Sequence, residues 1–278
     1  MSSVTNRIKE IKQPRGGYIN PNDFTIIEIN DGNALFEEEN VHGSIIGMVV
    51  DYMTRFLLNG EKEKAFSVSL SGATIAVKMG NKKALKIAKE LLNNIKGLDK
   101  NSIINACKLV TFDVWYRNTS AAMMATGWDE TNPDVPTINN IIILINRSLE
   151  FFRKYGPITI DGFTFEPENG SLKDYEKMIN TGKGSYGGYT ATVETGDGDF
   201  LTEDTLWDFK VSKSKPTNKH TMQLLMYWIM GQHSGRKEFK NIKKLGIFNP
   251  RLNVVYLYEI DKVSKDIISE IERDVICY

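Results

Sequence analysis

The hydrophobic period of the chain changes at Gly156-Pro157, and that change limits the folds open to it. Upstream, Ile46, Val49, Val50, Met53, Phe56 and Leu57 recur at three and four, one face of a helix over 43–58 that Asn59-Gly60 ends. Residues 73–95, 102–117 and 138–154 also read as helices, with breaks at Asn132-Pro133 and Pro136 between the last two. Downstream the pattern is that of strands: 158–165, 189–194, 198–202 and 205–212, then a helix over 217–230, strands at 243–248 and 253–260, and a helix over 262–275. Residues 24–29 add an early extended segment. From 43 to 260 the order is helix, three strands, helix, strand, with the helices of 73–154 inserted, which predicts an α/β domain with a mixed sheet. The predicted organisation is an N-terminal extension over 1–42 and one domain over 43–278, with a helical insertion at about 60–156 and a strand-rich core over 157–278.

Composition removes several function classes. With 278 residues, 35 Lys+Arg against 35 Asp+Glu and 41% hydrophobic residues, disorder and fibrous folds are excluded. Two cysteines and three histidines, none at zinc-ligand spacing, exclude a structural zinc site and a four-cysteine iron–sulfur cluster. The longest apolar run, over 141–145, falls far short of the ~20 residues that span a bilayer, and residues 1–17 lack the apolar stretch of a signal peptide. The expectation is a cytoplasmic protein with no membrane association. Charge is unevenly spread: between Asp208 and Arg251 stand ten Lys/Arg and two acids, a local excess of 10 − 2 = +8 that the remaining chain balances. A basic segment in a neutral protein fits an enzyme that holds a phosphate backbone on one face.

The residues that carry chemistry lie over 196–211. In a strand over 205–212, Asp208 and Lys210 share one face while Trp207, Phe209 and Val211 share the other, so one face is chemical and the other core. Asp199, nine residues before Asp208 across a turn at Glu203-Asp204, comes beside it if the two strands form a hairpin. Two converging carboxylates repel unless a cation lies between them. An oxygen-ligand pair with open positions suits Mg²⁺, and a lysine on the same face orients or deprotonates water or steadies charge on a phosphate. On the following helix Lys219, Gln223 and Tyr227 recur every four residues as a polar stripe, with Leu224, Leu225, Trp228 and Ile229 serving the core.

Gly196-x-x-Asp199, then Asp208-x-Lys210 on an apolar strand, then Gln223-x-x-x-Tyr227 on the next helix resembles the PD-(D/E)XK nuclease superfamily, in its RecB-like exonuclease and CRISPR-adaptation branch. The resemblance covers 190–260, extends to the helix of 43–58, and leaves the insertion out. It implies a restriction-endonuclease-like αβββαβ core, a metal held by Asp199 and Asp208, Lys210 serving the attacking water, and Gln223 and Tyr227 near the site. A further ligand on the helix before the sheet has Asp51 as its candidate, ahead of His42 and Glu39; Asp51 is equally placed to pair with Arg55. The expected activity is Mg²⁺-dependent hydrolysis of DNA, as an exonuclease, with Mn²⁺ as a substitute and Lys213, Lys215 and Lys219 against the backbone. The helical insertion is left for DNA ends or a protein partner. A catalytically silent binding module and an RNA-directed nuclease are the alternatives. Residues 182–185 are not a phosphate loop, since the earlier glycine is missing and Gly184 follows Lys183.

Overall fold

The computed structural model describes residues 2–167 and 187–278, so the glycine-rich stretch over 182–186 lies outside the described residues. The chain divides into a sheet unit, built from Met1–Ile29, Phe152–Lys210 and Ser214–Tyr278, and a helical unit, built from Asn30–Phe151 and Val211–Lys213. The helices are α1 (Val4–Glu10), α2 (Gly43–Asn59), α3 (Lys62–Ala65), α4 (Ser67–Lys78), α5 (Ala84–Asn94), α6 (Lys100–Leu109), α7 (Asp113–Arg117), α8 (Thr119–Ala122), α9 (Val135–Tyr155), α10 (Asn218–His233) and α11 (Lys265–Glu270). The strands are β1 (Ser2–Ser3), β2 (Thr25–Glu28), β3 (Ile160–Phe165), β4 (Val193–Leu201), β5 (Thr205–Phe209), β6 (Lys244–Asn249) and β7 (Val254–Glu259).

The sheet is mixed and open, in the order β1-β4-β5-β6-β7-β2, with β3 also paired to β4. β3, β4 and β5 form an antiparallel meander, and α10 carries the chain from β5 to β6, which runs parallel to β5. A parallel neighbour requires such a crossover. One core fills the α10 side, where Leu224, Leu225, Ile229, Leu206, Ile247 and Phe163 are buried together. On the other face Trp207 stacks on Phe200 at 6.2 Å and meets Tyr155 edge-on at 5.4 Å, while its Nε1 donates to Thr202 Oγ1 at 2.9 Å. Gly246 on β6 makes room for it, since a Cβ there would lie 2.3 Å from the indole. Both faces of β5 are therefore buried, and the division into a chemical and a core face holds only from Asp208 onward.

Other departures from the sequence reading have physical causes. The strands expected over 189–194 and 198–202 are a single β4, because Gly196 and Gly198 are not turn glycines but contact points: a Cβ on Gly196 would meet Val4 at 2.7 Å and Tyr227 at 3.0 Å. The first 29 residues are part of the sheet unit and not a separate extension, since Val4 and Ile8 are buried in its core and β1 and β2 pair with β4 and β7. The helix over 43–58 forms as α2 but groups with the inserted helices. The helix expected over 73–95 is two, α4 and α5, separated around Gly80, whose φ of 105° ends the first. Within the helical unit the buried Asp113 carboxylate accepts from Tyr52 Oη at 2.6 Å and Ser69 Oγ at 2.5 Å, tying α2, α4 and α7 together. Among the described residues no helix is long and apolar enough to cross a membrane.

Candidate active site

The site is built where β4 and β5 diverge. Their ladder pairs Leu201 with Leu206 and Phe200 with Trp207; one more step would set Asp199 across from Asp208, but pairing stops there. In place of the next rung, Asp199 Oδ2 accepts the backbone N–H of Phe209 at 2.6 Å. Its carboxylate is thus fixed against β5 by a charge-assisted hydrogen bond. Lys210 follows β5 directly and is held by its own N–H, which donates to Phe248 O on β6 at 2.9 Å. Two residues apart in extended backbone, Asp208 and Lys210 point to the same side, and Lys210 Nζ reaches Asp208 Oδ1 at 2.9 Å.

The second carboxylate oxygen is the telling atom. Asp208 is 4% exposed, and its Oδ2 is buried with no hydrogen-bond partner among the described residues. A charged oxygen shut away from water and left unpartnered costs more than any ordinary buried polar group. Burial opposes the charge of Lys210, but the carboxylates of Asp208 and Asp199 outweigh it and hold the ammonium above its ordinary pKa. Lys210 is therefore a fixed cation. A raised pKa suits a lysine that donates hydrogen bonds and offsets charge better than one that acts as a base.

The face of α10 that looks onto these groups carries His220, Gln223 and Tyr227, at i, i+3 and i+7. Gln223 Nε2 donates to Tyr227 Oη at 3.0 Å. Tyr227 is 3% exposed, its ring edge-on to Phe163 at 5.8 Å, and burial together with the charges of Asp208 and Asp199 keeps its phenol protonated. Lys219, expected on this stripe, is exposed, whereas His220 faces the site. Burial and then the charge of Lys210 lower the pKa of His220, and its Nδ1 accepts from Thr217 N–H at 3.0 Å in the cap of α10. The sequence reading passed over His220; a Thr217-x-x-His220 cap at the start of the helix was the available signal.

Lys215 is exposed before α10. Lys213 belongs to the helical unit, where its Nζ is 3.9 Å from Glu39. Asp51 also lies in that unit and accepts from Arg55 Nε at 2.7 Å, the salt bridge its spacing allowed. Glu39 accepts from Asn140 Nδ2 at 2.9 Å, and His42 caps α2 through Ser44 N.

Among the described residues no group of three His, Cys, Asp or Glu side chains converges as metal donors. Asp199 and Asp208 fit Mg²⁺ nonetheless, because that ion takes one or two carboxylates and fills its shell with water and phosphate oxygens. The unpartnered Oδ2 of Asp208 is the atom that such a cation would satisfy. Neither family models, nor curated proteins, nor solved structures provide a match to this chain.

Proposed function

We propose that the protein is a Mg²⁺-dependent DNA nuclease, of PD-(D/E)XK type, that works as an exonuclease and accepts Mn²⁺ as a substitute. The observation that carries the reading is the buried, unpartnered Oδ2 of Asp208, beside a lysine held cationic on the other oxygen. Three antiparallel strands, then α10, then a parallel β6 are in keeping with the βββαβ part of an αβββαβ core. Asp199 and Asp208 would hold the metal, which when bound supplies neutralisation of phosphate charge and makes a bound water more acidic than bulk water. Lys210 donates to substrate or water oxygens and offsets the negative charge that develops on the phosphate. Tyr227, kept protonated by burial and the nearby carboxylates and hydrogen-bonded by Gln223, offers a fixed hydroxyl. Lys215 and Lys219, exposed near the start of α10, supply cations for the backbone.

The test is a substrate panel. Linear duplex, circular duplex, single-stranded DNA and RNA are incubated with Mg²⁺, with Mn²⁺ and with EDTA. Degradation of linear DNA with either metal and none with EDTA is expected, with circular DNA spared. Preferential degradation of RNA would move the reading to an RNA-directed enzyme, and no cleavage of any substrate would leave a binding module.

A further inference from the structure

The basic segment over 208–251 is one run in sequence but not one surface in the structure. Lys210, Lys215 and Lys219 lie at the end of β5 and the start of α10. Arg236, Lys237, Lys240 and Lys243 all follow the other end of α10, whose sixteen residues are about 24 Å long at ~1.5 Å each. These four cations are exposed; Glu238 lies among them in sequence, and Asp204 is near Lys243, whose N–H donates to its carbonyl at 2.8 Å. They are also held in place. The 3₁₀ turn Lys237–Asn241 is anchored by Phe239, which is 1% exposed and packs on Phe163 at 5.2 Å, and Gln232 Nε2 donates to Phe239 O at 2.7 Å. Arg236 is pinned by its bond to Thr164 O at 2.8 Å and by the Phe165 ring at 5.6 Å. Lys244, by contrast, is neutralised by Asp204 at 2.8 Å. Among the described residues Lys237, Lys240 and Lys243 have no ion-pair partner.

Resting on the nuclease reading, we propose that Lys237, Lys240 and Lys243 form a second DNA-backbone surface, which grips duplex DNA flanking the piece held at the site. Lys237 and Lys240, three residues apart in a 3₁₀ turn, eclipse one another about 6 Å apart, a rise comparable with two phosphate steps of ~3.4 Å. The lysines before and at the start of α10 and those beyond its end stand up to about 24 Å apart, the length of the helix, which corresponds to roughly seven base pairs of a duplex that touches both groups. The surface therefore serves substrates longer than that and is idle on shorter ones.

The experiment compares wild type with the Lys237→Ala/Lys240→Ala/Lys243→Ala triple variant in EDTA, by fluorescence anisotropy on hairpin stems of about 6 and about 24 base pairs across a salt series. Arg236 is left intact because it contacts β3. On the long stem the slope of log K against log[salt] should be shallower in the triple variant by about 2.7, at ~0.9 per lost phosphate contact; on the short stem the two proteins should coincide. Melting curves check that removing three exposed side chains leaves the fold intact. A triple variant that matches wild type on the long stem, or loses as much on the short one, overturns the proposal. Cleavage with Mg²⁺ separates the two claims: length-dependent binding without cleavage sinks the nuclease reading alone, and cleavage with unchanged binding of the triple variant sinks only the second surface. Wild type that binds neither stem contradicts both.

Discussion

Asp208 and Lys210 depend on each other unequally. Removing Lys210 as Lys210→Met strands a carboxylate that is almost wholly buried and already has one unpartnered oxygen, a change expected to cost on the order of 1–3 kcal/mol. Asp208→Asn removes the buried charge and its repulsion with Asp199 but also the ion pair with Lys210, so the two effects oppose and the metal-free protein should lose no more than about 1–3 kcal/mol. Mg²⁺ binding only to folded wild type adds RT ln(1 + [L]/Kd), about 1.4 kcal/mol at ten times Kd, which is on the order of 2–5 °C in Tm for a chain of this size. Calorimetry or fluorescence melting with and without Mg²⁺ reads this directly. The shift should be present in wild type and absent in Asp208→Asn. An equal shift in Asp208→Asn would put the metal elsewhere, and strong destabilisation of the metal-free Asp208→Asn protein would make these carboxylates structural groups.

At the scale of elements, a titration tests the packing of the helical unit. Asp31 accepts from Arg147 Nε at 2.6 Å and Nη2 at 3.0 Å, and this pairing with α9 lowers its pKa to about 2. A depressed pKa stabilises the fold above the unfolded value of about 3.9, and that contribution is lost as pH falls through about 2, on the order of 2 kcal/mol in all. Asp31→Asn should therefore lower stability at neutral pH and flatten its fall between about pH 4 and 2 in urea melts; an unchanged acid limb would mean that the pair contributes nothing. The same scale shows what the sequence makes legible. Helices and strands with a clean period emerged close to their expected bounds: α9 at Val135–Tyr155, α10 at Asn218–His233, β6 at Lys244–Asn249. The failures fall where a residue serves a neighbour distant in sequence. Gly196 reads as a turn until Val4 and Tyr227 occupy the space its missing Cβ leaves, and the helix α1 is invisible because its worth lies in Val4 and Ile8 meeting the core of α10.

For the molecule as a whole, the site was legible in part because its residues sit on local patterns: Asp208-x-Lys210 on one strand, Asp199 one hairpin arm away, Gln223 and Tyr227 a helical turn apart. The unpartnered oxygen and the cationic state of Lys210 were not legible, since both depend on burial, and the basic run read as one surface until α10 divided it. The most direct test of the central claim is the single-turnover rate at which linear duplex DNA is degraded in Mg²⁺ by wild type and by Asp208→Asn, both shown to be folded. The account predicts a fall of roughly 10²–10³ or more, the scale on which loss of one preorganised charge-stabilising group slows a reaction. Cleavage by Asp208→Asn within a few-fold of wild type, in preparations free of contaminating nuclease, would contradict it.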